Sequence, residues 1–267
     1  MTEPNRTAVA LVTGGASGIG LATATEFARA GYAVAVVDRS GADAERAASQ
    51  IADQTGARSV RGFGADVTNQ AECRAAHADI SSDIGAVCVL VNCAGIVVRR
   101  KARLEDLPEG HFEEMMAIHV NGTLNWSKLV IPDMRAVRFG RIINISSVNA
   151  VAAVPYRIGY VTAKKAIRGV TEALALETAR AGITVNAIAP GYILTDVLKK
   201  RAEAGILDQG AIAERTPVGR WGDPDEIAAT AVYLASDKAG FITGSTLVVD
   251  GGLSIRGDAG EDLESAP

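Results

Sequence analysis

The stretch Ala8-Val9-Ala10-Leu11-Val12-Thr13, followed at once by Gly14-Gly15-Ala16-Ser17-Gly18-Ile19-Gly20, decides the fold. The first part is a near-continuous apolar run, which predicts a strand buried on both faces. The second predicts a turn whose backbone approaches a ligand closely, because glycine adopts conformations closed to other residues. A helical pattern continues to about Ala30, and the next apolar run, 33–38, ends on Asp38, eighteen residues after Gly20. Strand, glycine turn, helix and acid-tipped strand form a dinucleotide-binding unit. The helix amino terminus offers unpaired N–H groups to a pyrophosphate, and the carboxylate reaches both ribose hydroxyls of an adenosine.

Working outward, further strands are expected at 59–65, 86–92, 141–146, 183–189 and 246–250, and helices at 42–54, 70–84, about 110–138, 157–180 and 224–235. Pro132 is expected to kink or break the long fourth helix. Apolar strands alternating with helices imply an α/β fold: a doubly wound, mostly parallel, seven-stranded sheet of Rossmann type, with helices on both faces. Ligands then bind at the carboxyl ends of the strands. Residues 1–267 read as one domain with an ordered core of about 7–253 and flexible tails at 1–6 and 254–267. The segment 192–216 mixes aliphatic residues with Lys199, Lys200, Arg201 and Arg215, and is expected to fold as a mobile lid over the substrate.

Composition narrows the function classes. With 27 Lys and Arg against 31 Asp and Glu, the net charge of −4 gives no footprint for nucleic acid or an anionic membrane. No apolar run approaches the ~20 residues of a membrane span, and the opening MTEPNRT has no signal-peptide centre. Cys73, Cys88 and Cys93 are an odd number without a CxxC pair, and the three histidines do not cluster with them. Neither a disulfide scaffold nor a metal site is expected, and the compartment is read as cytoplasmic. Aromatic residues are 4% of the chain, so the core must be aliphatic.

The glycine spacing GxxxGxG is one of an ordered set of motifs. Asn92-Cys93-Ala94-Gly95 follows the fourth strand, Asn121 sits within the long helix, Ser147 follows the fifth strand, Tyr160-Val161-Thr162-Ala163-Lys164 is a YxxxK, and Pro190-Gly191 follows the sixth strand. Over about residues 8–252 the chain resembles the short-chain dehydrogenase/reductase family; Cys93, where that family carries a second Asn, is a departure. The resemblance implies an oxidoreductase moving hydride between a nicotinamide dinucleotide and a secondary alcohol or ketone. It implies Asn121, Ser147, Tyr160 and Lys164 as the catalytic set, with Ser147 orienting the substrate oxygen and Asn121 holding a water that links Lys164 to solvent. It further implies cofactor contacts from Gly14, Ser17, Gly18, Ile19, Gly20, Asp38, Arg39, Asp66, Val67, Asn92, Ala94, Gly95, Tyr160, Lys164, Pro190, Gly191, Ile193 and Thr195, and a homotetramer packed through the helices around 111–138 and 157–180. Small residues Ala163, Ala166 and Gly169 would permit that helix approach, or pack only on the parent sheet.

Elementary chemistry stands beside the resemblance. A free tyrosine hydroxyl titrates near pH 10, and a nearby ammonium favours its phenolate. Four residues apart on a helix, Tyr160 and Lys164 share a face. Ser146 competes with Ser147, and Asp66 competes with Thr68 and Asn69 for capping the next helix. His119 reads as a satisfied structural histidine and Cys93 as a small packed residue. A carboxylate at Asp38 would repel the extra phosphate of NADP, so NAD is expected; Arg39 is the residue that could instead accept that phosphate. The stretch Arg215–Pro224, Pro190-Gly191-Tyr192, and Arg99 and Arg100 resemble sugar-acid dehydrogenases, and the substrate is read as a small polyol, sugar acid or other secondary alcohol. Two alternatives stand: ketone reduction with NADPH, as in 3-oxoacyl-carrier-protein reductases, and a non-catalytic dinucleotide sensor or scaffold, against which the intact catalytic set argues.

Overall fold

A computed structural model of the chain describes residues 8–97 and 101–256. Seven strands form one sheet: β1 (Val9–Thr13), β2 (Ala33–Asp38), β3 (Val60–Gly64), β4 (Val87–Asn92), β5 (Gly140–Ile145), β6 (Ile183–Pro190) and β7 (Thr246–Val249). Their order is β3-β2-β1-β4-β5-β6-β7, and every neighbouring pair is parallel. The strand order reverses direction between β1 and β4, the switch point at which open α/β sheets bind ligands. Arg99, Arg100 and nearly all of the two tails lie outside the described residues.

Alternation along each strand sends side chains to opposite faces, and both faces are apolar. Ala10, Val12, Val34, Val36, Val89 and Val91 meet α1 (Gly18–Arg29), α2 (Gly41–Thr55) and α9 (Pro224–Ala235). Val9, Leu11, Ala35, Val37, Leu90 and Ile142 meet α3 (Gln70–Asp83), α5 (Gly122–Val137) and α6 (Ile158–Thr178). Phe27 and Trp126 are the large aromatic members of otherwise aliphatic layers.

The long fourth helix departs from its expected form. It comprises α4 (His111–Met116), a π-turn (Ala117–Asn121) and α5. Pro132 sits inside α5 without ending it, because buried Val130 and Met134 anchor the helix on either side. The irregularity lies at the π-turn instead, beside the ligand cleft, where such turns are frequent. α6 packs Ala163 against Met115 and Val120 of its own chain, whereas a Cβ at Gly169 would meet only open space.

Candidate active site

A cleft of about 600 Å³ opens at the carboxyl ends of the strands. Its floor is the turn after β1. A Cβ at Gly20 would stand 2.1 Å from the Gly14 carbonyl oxygen, and Gly14 and Gly18 have φ of 64° and 54°, so the turn is closed to other residues. Thr13 ties it to β4: its Oγ1 accepts from the Cys93 and Ala94 N–H groups, each at 3.1 Å. Ser17 precedes α1 without a side-chain cap, and the first turn of α1 carries no acidic residue. The floor therefore presents peptide N–H groups and a helix amino terminus to an anion. Asp38 closes one end, its Oδ2 accepting from the Ala16 N–H at 3.3 Å, with Arg39 beside it on the cleft lining. This cradle fits a dinucleotide: glycine where a side chain would fill it, and a carboxylate at the ribose end.

The opposite wall carries Ser147, Tyr160 and Lys164, which the fold brings into the same cleft. Lys164 is buried, and its Nζ donates to the Ile145 carbonyl at 2.8 Å, 5.7 Å from the Tyr160 ring centroid. Burial pulls its ammonium down to about 8. Burial likewise pushes the Tyr160 hydroxyl up, against the Ser147 hydroxyl and the Arg157 charge, which pull it down. Desolvation is the leading influence on both groups, and the Lys164 ammonium donates to a backbone carbonyl beside the Tyr160 ring. The two serines separate cleanly. Ser146 Oγ donates inward to the Lys164 carbonyl at 3.0 Å, while Ser147 accepts from the Asn149 N–H and reaches Tyr160.

Most of the residues expected to contact the cofactor line this cleft, including Ile19, Asp66, Val67, Ala94, Gly95, Pro190, Gly191, Ile193 and Thr195. Asp66 accepts from Thr68, and Asn69 is the residue that caps α3. Two expected residues are elsewhere. Asn92 points into the interior, where its Nδ2 donates to Asn144 Oδ1 at 2.9 Å; Asn144 in turn donates to Thr171. Strand alternation turns it away from the ligand and makes it a buried tie between β4, β5 and α6. Asn121 is exposed on the outer face of the helix and does not line the cleft.

The residue that occupies this wall from the π-turn is His119. It is 3% exposed, stands edge-on to Tyr160 with ring centroids 5.5 Å apart, and has Nε2 3.2 Å from the Ile96 carbonyl oxygen. Burial, with the Lys164 charge adding to it, brings its ring down to about 2, so the imidazole is neutral. The helical stripe Met115, His119, Thr123, Trp126, Val130 is buried, whereas Asn121, Leu124 and Lys128 form the exposed face. That periodicity is the sequence signal that separates His119 from Asn121. Cys93 also lines the cleft, its thiol pushed up to about 12 by burial.

Two short helices cover the far side: α7 (Asp196–Glu203), capped by Thr195, and α8 (Gln209–Arg215), capped by Asp208. Val197 and Leu198 line the cleft. The base of this segment is tied down: Leu194 N–H donates to Gly222 O at 2.9 Å, Trp221 Nε1 donates to Gln209 O at 3.0 Å, and Arg220 grips Glu226 through two hydrogen bonds. Among the described residues there is no group of three or more His, Cys, Asp or Glu that could hold a metal ion, and no helix is long and apolar enough to cross a membrane.

Comparison with known proteins agrees with this geometry. A family model described as enoyl-(acyl carrier protein) reductase matches residues 14–254. The chain is 38% identical over 248 residues to a D-threitol dehydrogenase of Mycolicibacterium smegmatis, covering 93% of each. It is 41% identical over 238 residues to an acetoacetyl-CoA reductase of Paracoccus denitrificans, covering 89% of this chain and 94% of the relative. A crystal structure of a gluconate 5-dehydrogenase from Burkholderia cenocepacia, in complex with NADP and tartrate, superposes with a TM-score of 0.86 at 35% identity, covering 93% of this chain and 95% of that one. With a glycine cradle, a tyrosine–lysine pair and near full-length relatives of this kind, the chain belongs to the short-chain dehydrogenase/reductase family, nicotinamide-dinucleotide oxidoreductases of CH–OH groups.

Proposed function

We propose that the protein interconverts a small secondary alcohol and its ketone with NAD(H), the substrate being a polyol, a sugar acid or a similar hydroxy compound. The carrying observation is that Ser147, Tyr160 and Lys164 converge in the cleft whose other end holds the glycine cradle and Asp38. The dinucleotide, when bound, donates or accepts the hydride. Tyr160 exchanges the proton of the substrate oxygen, Ser147 donates a hydrogen bond to that oxygen, and Lys164 supplies positive charge and a ribose contact. The residues 14–20, Asp38, Asp66 and Val67 hold the adenosine and pyrophosphate, and Pro190, Gly191, Ile193 and Thr195 hold the nicotinamide end. Residues 192–216 act as the lid. Asp38 selects NAD by repelling a ribose phosphate.

A second reading has its own support. The acetoacetyl-CoA reductase relative and the NADP-bound structural neighbour favour ketone reduction with NADPH, with Arg39 receiving the phosphate. Initial rates with NAD and NADP on threitol, gluconate and 3-hydroxybutyrate, and with NADH and NADPH on acetoacetyl-CoA, separate the two. Higher kcat/KM with NADP would overturn the Asp38 argument, and no turnover beside tight NADH binding would favour a sensor. We place the enzyme in the cytoplasm as a homotetramer, for which light scattering at micromolar concentration is the test; a monomer would refute the assembly.

A further inference from the structure

We propose that the substrate is a small hydroxy acid and that Arg157 selects it, pairing the acid's carboxylate while the nearby carbinol carbon lies at Tyr160. This inference deepens the proposed function and rests on it.

Arg157 is the N-cap residue of the 21-residue helix α6, and its side chain makes no capping hydrogen bond. Ser, Thr, Asp or Asn is the ordinary choice at that position. Arginine gives up the cap and sets a positive charge at the positive end of the helix dipole, and the first turn of α6 has no acidic residue to offset it. The side chain is half-buried, yet among the described residues no carboxylate or carbonyl engages its guanidinium. Glu114 and Asp196 line the cleft, and neither pairs with it. The backbone is strained to hold this corner. Tyr156 has a φ of 64°, a region that residues with a side chain rarely adopt. Its carbonyl accepts from the Ala102 N–H at 3.3 Å, which ties the loop before α6 to the loop after β4. A cation placed where the helix disfavours it, with no partner in its own chain, is accounted for by an anion from outside.

Tyr160 lies within reach of that charge. Arg157 precedes it by three residues, and Cβ atoms three apart on a helix are about 5–6 Å from each other. The Arg157 charge is one of the influences that pull the Tyr160 hydroxyl down. Elsewhere the wall includes Ile96, Val97, Val197 and Leu198, which offer a substrate apolar contact and no charge. A carboxylate at this corner meets the planar N–H fork of the guanidinium and the amino end of α6 together. The short spacing sets the class of substrate. The anion must lie within a few bonds of the carbon that carries the hydroxyl, as in 2- and 3-hydroxy acids. A neutral polyol leaves the guanidinium unpaired, and a thioester whose phosphates lie far from the reacting carbon places no charge there.

The test compares each acid with its neutral counterpart on the full chain: lactate with propane-1,2-diol, and 3-hydroxybutyrate with butane-1,3-diol. Wild type, Arg157→Met and Arg157→Lys are assayed with the dinucleotide that supports the faster rate. Butyrate, which has no carbinol to oxidise, is titrated calorimetrically into each reduced-dinucleotide complex. Wild type should favour the acid of at least one pair about tenfold or more in kcat/KM, the scale of a charge-assisted hydrogen bond. Arg157→Met should cut that ratio at least about tenfold, chiefly through the KM of the acid, and weaken butyrate to match. Arg157→Lys keeps the charge without the fork and should retain part of both. Any effect of the lost charge on Tyr160 falls on acid and diol alike and cancels in the ratio. A wild type that turns over the diols with no preference for the acids would overturn the inference and leave the proposed function standing. Acid and diol falling by one factor in Arg157→Met would make the residue structural and also overturn it. If wild type turns over neither pair, butyrate decides: binding that Arg157→Met abolishes upholds the carboxylate site while the proposed function fails, and no binding overturns the site.

Discussion

Replacing Gly20 by alanine tests whether the floor of the cleft is a cradle fixed by sterics. The added methyl would sit 2.1 Å from the Gly14 carbonyl oxygen, 2.7 Å from the Gly14 carbonyl carbon and 3.1 Å from Gly15 Cα. All three are backbone atoms, so no side-chain rotation relieves the contact. Restoring an ordinary separation requires roughly 1 Å of relative movement between α1 and the turn that precedes it. Overpacking of this kind costs about 1–3 kcal/mol, and at this chain length about 2–4 °C in Tm per kcal/mol gives a loss of about 2–12 °C. The same movement displaces the peptide N–H groups aimed at the pyrophosphate. NADH affinity, read by fluorescence titration, should fall at least about tenfold, the equivalent of 1.4 kcal/mol. Gly169→Ala is the contrast within the chain: no atom of the same chain outside its helix lies within 4 Å of its Cβ, so alanine there should leave NADH affinity unchanged. A Gly20→Ala protein with wild-type Tm and NADH affinity would refute the steric argument.

Three further outcomes are expected. Asp38→Ala should weaken NAD use about 10- to 100-fold, the worth of one charge-assisted hydrogen bond, and narrow the preference over NADP in kcat/KM; an unchanged preference would shift the role to Arg39. Hydrogen exchange over residues 192–216 should slow first near Thr195 when NADH binds and across α7 and α8 when substrate follows, and equal protection in all states would make the segment a fixed wall. Lys164 binds its proton more weakly folded, at about 8, than unfolded, near 10.4. The unfolded chain therefore holds more protons between those values, and wild-type stability should rise with pH across that window. Lys164→Met removes the buried charge, so it should abolish turnover yet unfold at higher denaturant than wild type at pH 7, by about 1–3 kcal/mol, with the gap closing toward pH 10.5. A gap that stays constant with pH would contradict a buried ammonium.

Much of the molecule was legible in residue order. Runs such as 33–37, apolar on both faces, and 183–189, apolar but for Thr184 and Asn186, specify interior parallel strands, and the structure pairs them as such. The glycine turn, Asp38, Ser147 and the YxxxK helix were legible because each sits where a strand or helix of unmistakable period ends or begins. What was not legible concerns which way a polar side chain faces. Asn92 closes β4 and reads as a ligand contact, yet it stands opposite Asn144 in the ladder and bonds to it inside the protein. Asn121 and His119 are two residues apart in one helix, and a polar amide is the more obvious catalytic group. The burial stripe through Met115 and Trp126 favours His119, and the π-turn, which no local pattern announced, fixes it there. Pro132, expected to kink or break the helix, does not end it, since packing of Val130 and Met134 outweighs the local cost of proline. Finally, spacing and chemistry place Lys164 beside Tyr160, but the depth of burial that pushes the Tyr160 hydroxyl up and the ammonium down is set by packing that no local pattern shows.

The central claim is that Tyr160 exchanges the proton of the substrate oxygen in a cleft that binds the dinucleotide independently of it. The direct measurement is kcat for alcohol oxidation by wild type and Tyr160→Phe, with NADH affinity measured on both. Phenylalanine keeps the ring that packs against His119 and removes only the hydroxyl. We expect kcat to fall by about 100-fold or more, the scale of a lost general acid/base, with NADH affinity within about threefold of wild type. A Tyr160→Phe enzyme that turns over at near wild-type rate would contradict the account.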